Sequence, residues 1–126
     1  DYIREGVYHD PDRCAELTQE LLRLPEPPTC ILMPDDFSSI GGRNAIHRMD
    51  LRLPEDISVA GYDGIQIASV MSPALTTYRQ DTQALGRTAA AKLIELIEKP
   101  RTALVDRVLI PGHLVEGASV RAIETL

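Results

Sequence analysis

Asp56-Ile57-Ser58-Val59-Ala60-Gly61-Tyr62-Asp63-Gly64 is the stretch whose reading decides the fold. Ile57 to Gly61 is an apolar run that follows the turn sequence Leu53-Pro54-Glu55-Asp56. It reads as a strand that breaks at Gly61 and delivers the Asp63 carboxylate just past its C-terminal end. Wholly apolar short runs belong to parallel sheets, whose strands are covered on both faces. In an open parallel α/β sheet, ligands bind beyond the strand C-termini. Thr29–Met33 upstream is a second such run, and Thr76–Arg79 downstream is a third, shorter strand.

Between these runs the apolar spacing becomes helical. Asp10 predicts an N-cap with Pro11 at the first helical position. Cys14, Leu17, Leu21, Leu22 and Leu24 recur at helical intervals, and Pro25-Glu26-Pro27-Pro28 makes a stiff end. A second helix is expected over Phe37–Met49, with Ile40, Ala45, Ile46 and Met49 facing inward. Gly41 and Gly42 sit inside it, each costing about 1 kcal/mol there, which predicts close packing against a neighbour. Ile65–Met71 reads as a short helix or irregular segment. The clearest helix is Asp81–Glu98, with Leu85, Ala89, Leu93, Leu96 and Ile97 in a stripe, Arg87, Lys92, Glu95 and Glu98 outward, and Pro100 as its stop. Tyr2–Glu5, Val105–Ile110 and His113–Glu116 read as short strands, the last two linked around Pro111-Gly112, and Ser119–Leu126 as a loose tail. The predicted fold class is α/β, a mostly parallel sheet flanked by helices.

The chain has 126 residues, enough for one domain or a substantial part of a larger one. Hydrophobic residues make up 44 %, but with one Phe, four Tyr and no Trp the core must be aliphatic. A net charge of −6, with no Lys/Arg-rich run, opposes binding to nucleic-acid phosphates, so this chain by itself is not expected to hold DNA. Cys14 and Cys30 form neither a disulfide framework nor a zinc-site spacing and read as buried or half-buried side chains, compatible with a reducing cytoplasm. No apolar run approaches the roughly 20 residues of a membrane span. The N-terminus lacks the zones of a signal peptide and has no initiator Met, so a fragment of a longer protein is expected.

Three carboxylates converge at the predicted strand edge: Asp35, Asp36 and Asp63. Such groups hold Mg²⁺, act as acid and base, or accept hydrogen bonds from ligand hydroxyls. Asp36 suits the N-cap of the second helix, whereas Asp35 and Asp63 have less local employment and are candidate ligand contacts. A phosphoryl-receiver domain needs a lysine at the end of a late strand, and Thr76-Thr77-Tyr78-Arg79 offers none. His9, His47 and His113 have no metal-ligand spacing, and Ser38-Ser39 has no nearby histidine base. There is no Gly-rich phosphate loop, nucleophile elbow or HExxH. Gln80, whose amide donates and accepts, suits a hydroxyl-rich ligand or a local helix-start bond. No catalysis, metal or cofactor is expected.

Leu53 to Asp63, Ser72-Pro73-Ala74-Leu75-Thr76-Thr77-Tyr78-Arg79-Gln80 and Leu85-Gly86 together closely resemble the effector-binding domain of the lactose/galactose repressor family. Pro28-Thr29, Pro34-Asp35-Asp36 and Ile40-Gly41-Gly42 extend that resemblance over nearly the whole chain. It implies the C-terminal part of a periplasmic-binding-protein-like domain of two α/β subdomains, with a small effector, of sugar type, in the cleft between them. It further implies a cytoplasmic transcriptional regulator, a homodimer with contacts from Ile67–Ala74, and operator binding through an N-terminal helix-turn-helix that residues 1–126 do not contain. Asp35 resembles the effector-touching position that is often Asn, Asp63 the acidic residue that bonds sugar hydroxyls, and Gln80 the polar residue at the subdomain crossover. An ionised Asp at 35 only accepts, which leaves the ligand's identity open. The resemblance places helix 81–98 in the N-terminal subdomain, whose other elements are not in this chain, leaving its stripe in need of cover by a second copy, a swap or its own sheet. A sugar-binding protein of a transport system, which shares the fold, is the alternative.

Overall fold

The computed structural model describes residues 1–103 and 106–123. Elements follow in the order α1 (Pro11–Leu22), β1 (Cys30–Leu32), α2 (Ser39–Arg48), β2 (Ser58–Asp63), α3 (Gln66–Val70), β3 (Thr76–Arg79), α4 (Thr82–Glu98) and β4 (His113–Val115). The strands make one sheet in the order β1-β2-β3-β4. β1 runs parallel to β2 with Ile31 opposite Val59, and β2 parallel to β3 with Gly61 opposite Thr77 and Asp63 opposite Arg79. The chain divides into two units, residues 1–79 with 114–126, and residues 80–113.

In the first unit the core is aliphatic, as the composition requires. Ile31, Met33, Ile57, Val59 and Leu75 from the sheet region meet Cys14 and Leu21 of α1 and Ile46 of α2. Asp10 caps α1 by accepting the Arg13 amide at 2.9 Å, and Pro11 occupies the first turn. α2 packs on α1 so closely that a Cβ at Gly41 would collide with the Pro11 carbonyl, and one at Gly42 would lie 2.9 Å from Thr18 Oγ1. The Gly41-Gly42 pair therefore serves helix–helix contact, as its position inside a helix predicts.

Several elements depart from expectation. Tyr2–Glu5 is not a strand: it joins no ladder and is tied down by the Tyr2 hydroxyl, which donates to the Glu26 carbonyl at 2.9 Å, and by an Arg4–Glu20 ion pair at 3.3 Å. Residues 106–110 form no strand, and Val105, where that strand was expected to begin, lies outside the described residues. Cys30 is exposed, on the outermost strand, whereas Cys14 is buried. β2 does not break at Gly61 but runs on to Asp63; the glycine serves close packing inside the strand, where a Cβ would collide with Asp36 Oδ1 and Leu75. It ends where Asp63 (φ 100°) and Gly64 (φ 69°) enter the left-handed region.

The expected loose tail is anchored at its start. Ser119 is fully buried, its hydroxyl donating to the Val59 carbonyl at 2.6 Å and accepting the Thr76 amide at 2.8 Å. The Val59 amide donates to the Ser119 carbonyl at 2.9 Å. Ser119 thus bridges β2 and β3 at the start of their ladder, where Ala60 pairs with Thr76. The remainder of that predicted tail, 124–126, lies outside the described residues.

In the second unit α4 is capped by Asp81, which accepts the Ala84 amide at 2.8 Å. None of its residues is buried, and Leu93, Ile94 and Ile97 are exposed. Among the described residues no helix is long and apolar enough to cross a membrane.

Candidate functional site

The parallel order of β1, β2 and β3 brings their C-terminal ends to one edge, and the acidic side chains gather there. Asp35 and Asp36 follow β1 and are both fully buried, yet they do different work. Asp35, not Asp36, secures the start of α2: it accepts the Ser38 amide at 2.7 Å and the Ser38 hydroxyl at 2.6 Å. It also accepts the His9 amide at 3.1 Å. Ser38 in turn accepts the Asp10 amide at 3.0 Å, so one carboxylate organises the N-terminal ends of both α1 and α2. Burial by itself pushes the Asp35 carboxyl up, but the bonds from Ser38 and His9 outweigh it and hold the group below the usual carboxylate range.

Asp36, expected as the N-cap, is instead a staple between distant elements. It accepts the Thr77 hydroxyl of β3 at 2.6 Å and the Ile65 amide at 2.9 Å, while its own amide donates to the Tyr62 carbonyl at 2.9 Å. The side chain reaches Thr77 because Gly61, opposite Thr77 in the ladder, leaves room for it.

Asp63 is the carboxylate left at the surface of this edge. It is half-buried, and it accepts a short hydrogen bond from the Tyr8 hydroxyl. That bond to Asp63, together with desolvation, pushes the Tyr8 phenol up to about 12. Tyr8 stacks on His9 with ring centres 4.2 Å apart, and His9 tilts against Phe37 at 5.4 Å. His9 stands at φ 59°, and its Nε2 is 4.0 Å from Asp35 Oδ1. Below the edge, Arg79 donates through Nε to the Gly64 carbonyl at 2.9 Å and fixes the turn that presents Asp63.

The edge therefore combines an accessible carboxylate with three partly exposed rings. Rings of this kind cover the apolar face of a ligand, while a carboxylate accepts hydrogen bonds from hydroxyl groups. Asp35 and Asp63 come to the same edge, but Asp35 presents no surface to solvent. Gln80 opens the second unit and is half-buried. Tyr8 and Phe37 are absent from the sequence-derived set. Their signal was positional: Tyr8 lies two residues before the α1 cap, and Phe37 directly follows the Asp pair, so both fall where a helix begins at the sheet edge. Among the described residues no three His, Cys, Asp or Glu side chains are grouped to hold a metal ion.

Residues 2–120 match the model of a family described as periplasmic binding protein-like domain. The probable HTH-type transcriptional repressor ExuR of Bacillus subtilis (strain 168) is 34 % identical over 125 residues, which cover 99 % of this chain and 37 % of that protein. Among solved structures, a LacI family transcriptional regulator from Enterococcus faecalis V583 with bound ribose superposes with a TM-score of 0.81 at 28 % identity, over 91 % of this chain and 42 % of that one. A dimeric Lac repressor with a C-terminal deletion superposes at 0.79 with 32 % identity, over 88 % of this chain and 40 % of that one. The chain thus spans well under half the length of these relatives.

Proposed function

The chain belongs to the periplasmic binding protein-like family as a fragment of a LacI-family effector domain, and from that premise we propose that it forms one wall of a transcriptional repressor's effector cleft, with a sugar as the effector. The observation that carries this reading is the pairing of the Asp63 carboxylate with Tyr8, beside His9 and Phe37, at the C-terminal edge of a parallel sheet. A sugar presents hydroxyls along its rim and C–H bonds on its faces, and this edge offers acceptors for the first and rings for the second. The ribose bound to the Enterococcus faecalis regulator supports the same class.

Asp63 accepts the ligand hydroxyls. Asp35 acts from beneath, holding the His9 main chain and the start of α2, and joins the contact directly where His9 shifts. Gln80, placed directly after β3, adds an amide that donates and accepts. The repressor works as a homodimer in the cytoplasm and meets operator DNA through a helix-turn-helix outside residues 1–126. Ligand and operator then compete or cooperate through two states of the effector domain.

Calorimetry of the full-length protein against a panel of pentoses, hexoses and uronic acids tests the reading. Asp63→Asn is expected to weaken the best ligand about 10–100-fold, the worth of a hydrogen bond to a charged group. Tyr8→Phe, which removes the phenol's bond to Asp63 but keeps the ring, should change affinity less. A sugar that binds wild type and Asp63→Asn equally well would remove Asp63 from the site, and the absence of any sugar hit would remove the ligand class.

A further inference from the structure

We propose that Arg79 is a positioning residue for the Asp63 carboxylate, clamping the turn that presents it at the sheet edge. Asp63 ends β2 at φ 100°, and Gly64 follows at φ 69°. A residue with a side chain rarely adopts positive φ, and keeps it only where its surroundings enforce it. Here three side chains hold three successive residues. The Tyr8 hydroxyl donates to the Asp63 carboxylate, Arg79 Nε donates to the Gly64 carbonyl at 2.9 Å, and Asp36 accepts the Ile65 amide at 2.9 Å.

These three bonds are not equivalent. Tyr8 binds the carboxylate itself, so an arriving hydroxyl shares or displaces it. Asp36 is committed to Thr77 of β3 through its other oxygen and acts two residues beyond Asp63. Arg79 grips the main chain directly after Asp63, a bond that a ligand hydroxyl at the carboxylate does not contest. Its stem fits the same turn: Arg79 stands opposite Asp63 in the ladder, and a Cβ at Gly64 would collide with Arg79 Cα and Cβ. The fit is particular to arginine, because a lysine keeps the charge but places a methylene where Nε stands. A carboxylate held in place before the ligand arrives binds more tightly, since less freedom is lost on binding. That gain in affinity rests on the effector reading; the clamp on Asp63 does not.

Two measurements on the full-length protein, each with Arg79→Met and Arg79→Lys, test the clamp and its consequence separately. Ultraviolet titration of Tyr8 reports where Asp63 stands and needs no sugar, since the phenol is raised to about 12 first of all by its bond to Asp63. Both variants are expected to lower that ionisation toward about 10, though not all the way, because the Asp35 and Asp36 charges that also raise it stay in place. Calorimetry with the sugar that binds wild type best should show about tenfold weaker affinity in both variants. A Tyr8 ionisation that stays at the wild-type value in both would overturn the proposal, even where melting temperatures fall, because Arg79 would then contribute stability alone. A rise in Arg79→Met with no change in Arg79→Lys would overturn it too: losing a cation disfavours the phenolate, which is the signature of charge and not of position. A Tyr8 shift with unchanged sugar affinity upholds the clamp and removes Asp63 from the effector site.

Discussion

Removing the Asp36 carboxylate strands the buried Thr77 hydroxyl and takes the acceptor from the part-buried Ile65 amide. A buried donor left unsatisfied costs about 1–3 kcal/mol, so Asp36→Ala is expected to destabilise the first unit by about that amount, read from the urea midpoint. Asp35 carries a pH signature. Its folded pKa lies below that of the unfolded chain, near 3.9, so its contribution is complete above about pH 4 and fades as pH falls through the lower folded value. Asp56, held at about 2 by its bonds from Arg52, adds to the same acid limb. Asp35→Asn should therefore flatten the loss of stability below about pH 4. The Tyr8 phenol shifts in the opposite sense: raised to about 12, it keeps its bond to Asp63 through neutral pH and loses it only in strong alkali. Ultraviolet titration should show Asp63→Asn bringing that ionisation back toward about 10.

At the level of elements, glycines report what each helix touches. Gly41→Ala drives a methyl group into the Pro11 carbonyl, and since main chain cannot yield, α1 and α2 must separate. A loss of about 1–3 kcal/mol is expected, as for overpacking generally. Gly86, inside α4, has open space where its Cβ would stand, so Gly86→Ala should stabilise α4 of this chain by about 0.5–1 kcal/mol. The elements that were legible in sequence are those whose signals are local: the Asp10-Pro11 start, the apolar runs of β1 and β2, the Gly41-Gly42 pair, the Asp81 cap. What was misread depends on distant partners. Tyr2–Glu5 has strand-forming side chains but no ladder to join. Asp36 suits the N-cap of α2 by position, but Thr77, 41 residues away, claims it and leaves the start of α2 to Asp35. Likewise Tyr8 becomes part of the site only because Asp63, 55 residues on, comes to meet it.

For the molecule as a whole, the balance lies between a net charge of −6, which favours solubility, and an α4 that buries none of its residues. Leu93, Ile94 and Ile97 leave a contiguous apolar surface on one helix, and such surfaces seldom stay in water. Sedimentation of the 126-residue chain is expected to show self-association, which Leu93→Lys with Ile97→Lys abolishes without loss of helix content. The same two substitutions in the intact protein should cost stability instead, if its other subdomain covers α4. Ser119, which bridges β2 and β3, has a consequence for synthesis. Val59 leaves the ribosome 60 residues before its bonding partner, a wait of about 3–12 s at roughly 5–20 residues per second. For that interval the nascent chain holds its central strands without their clasp, so translation past Ser119 is the moment at which the domain locks.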